Sequence, residues 1–151
     1  MIRPQYETRA DVTKELITTD FLAEKWNCIF RKLPIKYELD FVLEREGRVV
    51  AFAELKTRNY SREQIKNFGG QMISLAKFMK AKQICRETGL PVYIIVKCTD
   101  ALMYLSIQLV ASPKIEWAGR NDRNDPLDHE PYVMLPDNLF APIMRRAAEQ
   151  L

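Results

Sequence analysis

The chain has 151 residues, 47% of them apolar and 28% charged, with a formal net charge of +3 and a pI near 8.8. That length suits one folded domain with an ordinary core, and the composition excludes a disordered tail. No apolar stretch approaches the roughly 18 residues of a membrane span, and Met1-Ile2-Arg3-Pro4-Gln5 lacks the apolar run of a signal peptide.

Between about residues 9 and 27, Val12, Leu16, Ile17, Leu22, Ala23 and Trp26 recur near helical spacing, which predicts a first helix. Thr8 or Asp11 can cap its start, and Thr18-Thr19-Asp20 is a place where it can divide. Cys28 to Leu33 reads as a short strand stopped by Pro34. Tyr37 to Arg45 and Arg48 to Thr57 read as a hairpin turning at Glu46-Gly47. Ser61 and Glu63 open one long amphipathic helix that carries Ile65, Phe68, Met72, Leu75, Phe78 and Met79 and ends at the C-cap Gly89. Pro91 to Val96 is a continuous apolar run, the pattern of a central buried strand, and Ala101 to Leu109 alternates as another. Beyond Ser112 follow a polar loop over residues 119–126, a short edge strand from Tyr132 to Leu135, and a terminal helix from Pro142 to Leu151. The expectation is a single α/β domain over residues 1–151. Its core spans about residues 8–110 with an extension over 111–151, and a mixed central sheet is flanked by helices.

Three cysteines (Cys28, Cys85, Cys98) form no CxxC pair and read as buried thiols of a cytosolic protein. The single histidine, His129, makes zinc-type hydrolysis a poor expectation and reads as structural or solvent-exposed. Asp122, Asp125, Asp128 and Glu130 lack the offsets of a calcium loop and read as polar surface. The mild positive surplus fits a nucleic-acid partner without requiring one.

The hairpin carries charges where its strands otherwise read as core. Asp40 sits inside Leu39-Phe41-Val42-Leu43, and Glu54 and Lys56 close the run Val49 to Ala53. Strand alternation puts Glu54 and Lys56 on one face. A turn at 46–47 brings position 40 opposite 53 or 54, so two carboxylates and an ammonium converge within about 5–8 Å. Carboxylate oxygens are hard ligands for Mg²⁺ or Mn²⁺. Such an ion lowers the pKa of water and offsets phosphate charge, while a lysine orients a nucleophile or stabilises the charge that develops. The plainer alternative is a solvated strand end with a cross-strand ion pair.

Asp40, thirteen intervening residues, then Glu54-Leu55-Lys56, set in the order helix-strand-strand-strand-helix-strand, resembles the PD-(D/E)XK nuclease superfamily, the restriction-endonuclease-like fold. The resemblance covers about residues 8 to 100 and points to small phage-type, VRR-NUC or Holliday-resolvase-like members. It implies an αβββαβ core and cleavage of phosphodiester bonds with Mg²⁺ or Mn²⁺. It further implies Asp40, Glu54 and the Leu55 backbone carbonyl as metal ligands and Lys56 as the catalytic lysine. Leu39 replaces the motif's proline, a departure that lowers the motif's specificity. Members of the superfamily also supply a carboxylate from the first helix, for which Glu15 is the candidate, ahead of Asp11, Glu7 and Glu24. Gln71, beside Gly69-Gly70, matches a polar residue of the later helix. Leu75 stands where helicase-linked members carry tyrosine. Arg58 and Tyr60 can touch a nucleic-acid backbone, and Lys77 and Lys66 either contact phosphate or lie on a solvated face.

These readings lead to a DNA nuclease of the prokaryotic or phage-infected cytoplasm. It would be selective for structure (branches, ends, single-strand junctions) rather than sequence, with a homodimer as one arrangement and no membrane. A catalytically silent nucleic-acid-binding or assembly module with the same fold is the alternative.

Overall fold

The computed structural model describes residues 9–34, 37, 39–119, 125–126 and 129–143. The helix α1 (Arg9–Trp26) leads into the strands β1 (Ile29–Lys32), β2 (Phe41–Arg45) and β3 (Arg48–Thr57). Then come α2 (Arg62–Asn67), β4 (Gly70–Ser74), α3 (Leu75–Thr88), β5 (Val92–Lys97) and β6 (Leu102–Ser106), and finally β7 (Lys114–Gly119), β8 (His129–Pro136) and β9 (Ala141–Pro142).

Six strands form a mixed sheet in the order β1-β2-β3-β5-β6-β9. Only the β3–β5 pair is parallel, Phe52 standing opposite Val92 and Thr57 opposite Lys97. The β2–β3 hairpin turns where the sequence predicts, with Glu46 and Gly47 both at positive φ (52° and 76°), a combination that matches the twist of a two-residue turn. β5 is the central buried strand, with Val92, Ile94, Ile95 and Val96 all inside.

The two faces of this sheet have separate cores. On one, Leu22 and Trp26 of α1 pack over Phe41, Leu43, Ala51, Ala53, Leu55 and Ile95. On the other, Phe78 and Ala81 of α3 and Ile65 of α2 pack with Ile94, Val96 and the second sheet's Val133 and Leu135. Strand alternation therefore sends Ala53 and Leu55 towards α1, and Glu54 and Lys56 towards α3.

α1 is continuous through Thr18 and Thr19, contrary to the expected division. Their hydroxyls donate back to the carbonyls of Lys14 (3.0 Å) and Leu16 (3.2 Å), so both polar groups are satisfied within the helix. Its apolar pattern is buried at Leu22, while Val12, Leu16 and Ile17 stay exposed.

The long helix expected from Ser61 onward is instead α2, β4 and α3. Gly69 and Gly70 take φ of 90° and 141°, which a helix cannot accommodate, and Phe68 ends α2. Ser61 caps α2 in a capping box and the Ser74 side chain caps α3, each accepting from the backbone three residues on. Gly89 closes α3 in the left-handed conformation, as expected. The chain between these helices makes β4 of a three-stranded antiparallel sheet, ordered β4-β8-β7. The segment read as a short edge strand is thus the middle strand of a second sheet, extended to His129–Pro136. The Thr8 cap, residues 120–124 of the polar loop, and residues 144–151 of the terminal helix lie outside the described residues. Among the described residues, no helix is long and apolar enough to cross a membrane.

Candidate active site

Phe41 pairs with Ala53, so Asp40, at the entrance to β2, meets Glu54 across the ladder. The two carboxylates are tied to each other's strand. The Asp40 N–H donates to Glu54 Oε2 at 3.1 Å, and the Leu55 N–H donates to Asp40 Oδ2 at 3.0 Å. One oxygen of each acid is engaged in this way, and the other faces the remainder of the site.

Ammonium groups meet those two oxygens. Lys56 Nζ lies 3.0 Å from Glu54 Oε1, and Lys77, from the first turn of α3, pairs with the same oxygen. Lys32, the last residue of β1, is 3.9 Å from Asp40 Oδ1 and bonds Glu15 Oε1 of α1 at 2.7 Å. A chain of ion pairs therefore runs from Glu15 through Lys32 to Asp40, and from the neighbouring Glu54 to Lys56 and Lys77. Four elements contribute, along with the residue that opens the hairpin.

Glu54 is 1% exposed, which excludes the solvated strand end considered above. Burial alone would push its carboxyl up, but Lys56 and Lys77 outweigh burial and hold it below the usual carboxylate range. Asp40 has the opposite fate: burial first, then the Glu54 charge, push its pKa up to about 6. Burial and the charge of Lys77 lower Lys56. Lys77 is raised, the pull of Glu54 overcoming the cost of its own burial. Two acids and two lysines are thus split into an ionised pair and a pair of softened groups, the usual signature of a functional site.

Among the described residues, no three His, Cys, Asp or Glu side chains gather as a metal cluster. The acidic set is a pair. Mg²⁺ ordinarily takes one or two protein carboxylates and fills its other positions with water and phosphate, so the donor set fits in kind and number. Lysines already gather where a cation is favoured, and a divalent ion entering there must share or displace them.

Of the other sequence candidates, Lys77 is drawn onto Glu54. Arg58, Tyr60 and Gln71 line a common groove beside the site. Gln71 lies on β4 and not, as expected, on a helix, and its amide nitrogen donates to Met72 O at 2.9 Å. Lys66 is exposed on α2, and Glu24 is exposed on α1. Glu7 and the Asp11 side chain lie outside the described residues. His129 is half-buried at the start of β8, and the three cysteines are unbridged, with Cys98 buried. The residue that sequence reasoning missed is Lys32. Its signal was its position closing the strand next to the Asp40 strand, which puts its ammonium at the same sheet end.

A mixed sheet with helices on both faces, carrying the acidic pair and a lysine on its second and third strands, is the restriction-endonuclease-like nuclease fold. The chain belongs to the family described as "Phage putative PDDEXK endonuclease", whose model matches residues 1–143. Among solved structures, the Holliday junction resolvase Hjc of Archaeoglobus fulgidus, an archaeal hyperthermophile, has a similar fold. The TM-score is 0.53 at 15% identity, over 87% of this chain and 92% of that one. None of the curated proteins matches the chain.

Proposed function

We propose that this nuclease hydrolyses DNA phosphodiester bonds with Mg²⁺ or Mn²⁺ in the cytoplasm of a phage-infected cell, and that it selects its substrate by structure. The observation that carries the reading is the Asp40–Glu54 pair, with Glu54 buried and Asp40 half-buried, and Lys56 on the same face. Asp40, Glu54 and the Leu55 carbonyl would hold the ion, with Glu15, linked through Lys32, as the acidic contribution of α1. The ion, when bound, makes water easier to deprotonate and offsets the charge that grows on the phosphate oxygens. Lys56, its pKa lowered by burial, orients the attacking water and exchanges a proton near neutral pH more readily than an ordinary lysine. Lys77, which pairs with Glu54, would donate to the phosphate oxygens once Glu54 holds an ion, and Arg58 and Tyr60 would steady the strand beyond. Similarity to a Holliday junction resolvase favours branched DNA within this reading.

The test is cleavage of supercoiled, linear, single-stranded and four-way-junction DNA with Mg²⁺ or Mn²⁺. Cutting is expected to stop with chelator and to fall by about a hundredfold or more in Glu54→Ala and Lys56→Ala. No cutting of any substrate by the wild type leaves the silent binding module as the reading.

A further inference from the structure

We propose that the groove beside the carboxylate pair seats one unpaired nucleobase next to the phosphate that is cut. The proposal rests on the nuclease reading above and names what gives it structural selectivity. The groove, of about 500 Å³, opens between the end of β3 and the second sheet, and Arg58, Tyr60, Phe68, Gln71, Met72 and Met134 line it. That size falls within the ordinary range of small-ligand sites.

Three observations agree on its occupant. Tyr60 and Phe68 are 44% and 55% exposed, and their rings meet edge to face at 5.1 Å between centroids. Each ring fixes the other, and this arrangement leaves flat aromatic surface for stacking. Gln71 is only 7% exposed, and its amide nitrogen is spent on Met72 O. Its Oε1 has no partner among the described residues. No fully enclosed side-chain polar atom among them lacks a partner, so this oxygen opens on the groove. A fixed acceptor beside a stacking surface recognises an N–H on the edge of a base. Finally, Arg58 follows Lys56 by two positions as the chain leaves β3, and its N–H still bonds Lys97 O at 2.8 Å, so strand alternation carries it to the face of Glu54 and Lys56 and the groove borders the carboxylate pair. A nucleotide with its phosphate at the pair extends its base into this groove. A paired base has already committed the edge that Gln71 would read, so the groove discriminates for bulges, flaps and junctions.

The test uses the full chain, chelator, and two labelled duplexes of one sequence, one fully paired and one with a single unpaired 2-aminopurine. The ratio of their Kd values is read by anisotropy and the stacking by 2-aminopurine emission. Wild type is expected to favour the bulged duplex about tenfold and to quench its emission, as one base–aromatic stack provides. Phe68→Ala, at an exposed position, is expected to lose both effects, and Phe68→Trp to keep both. An unquenched base in the wild-type complex, or equal discrimination by wild type and Phe68→Ala, overturns the proposal. The same duplexes with Mn²⁺ separate the two readings. Cutting without preference for the unpaired base removes the groove and leaves the nuclease. Quenching without cutting keeps the groove and removes the nuclease.

Discussion

Asp40 is the residue whose charge state depends most on its surroundings. Its usual pKa near 3.8 is raised to about 6, so the folded chain binds a proton there more tightly than the unfolded chain does. The contribution to stability is therefore full below about pH 4 and is lost as pH rises through about 6. The shift corresponds to about 3 kcal/mol. With chelator present, Asp40→Asn should track the wild type at pH 4 and be the more stable of the two at pH 7, by up to about that amount. Urea unfolding of both proteins at the two pH values measures this, and parallel stabilities would remove the buried-charge account. Asp40, Glu54 and Lys56 were legible in the sequence because a hairpin register and strand alternation are local rules. Lys32 was not legible, and Lys77 was read as a phosphate contact or a solvated residue and not as a partner of Glu54, since both ion pairs depend on how β1 and α3 lie against the hairpin, which no spacing within one element specifies.

The element that sequence reading mistook is β4. Ile65, Phe68, Met72 and Leu75 keep a helical period across it, and that pattern outweighed the Gly69-Gly70 pair, the local sign of a break. Gly70 is where the break is enforced. A Cβ there would stand 1.9 Å from Leu135 O and 2.9 Å from Asp137 N, at a φ of 141° that side chains rarely adopt. Gly70→Ala should therefore push β4 from β8 and cost roughly 2–4 kcal/mol, while Gly47→Ala, with open space around it, should cost only about 1 kcal/mol of turn strain. Thermal unfolding of the two variants compares them directly, and equal losses would refute the close packing of the two strands. The hairpin, β5 and the Gly89 cap were readable because each has a strong local signature. β8 was seen only in part, because its partners β4 and β7 were themselves unrecognised.

For the molecule as a whole, the carboxylate pair lies between two cores, and occupancy of the site is expected to show in global stability. A divalent ion bound by the folded state alone stabilises it by about 2.7 kcal/mol at a hundred times Kd, which raises Tm by roughly 5–10 °C for a chain of this size. Mn²⁺ should produce that rise in the wild type and not in Asp40→Asn, with chelator reversing it. Equal shifts in both proteins would place the ion elsewhere. The mixed sheet followed from the order of elements in the sequence. The second sheet, which walls the groove, joins segments too far apart in the chain for any local pattern to reveal.

The order in which the sheet is stitched together has its own consequence. β3 finds β2 across a two-residue turn, but it finds β5 only after α2, β4 and α3 have been laid down. Closing that excursion loses entropy before any pairing rewards it, so the hairpin folds early and the parallel pair late. A chain emerging from the ribosome presents Asp40 and Glu54 while Lys77 and β5 are still unmade. Such a nascent chain carries the acids without the strand that buries them or the second lysine that balances them. The site matures only when synthesis has passed beyond it.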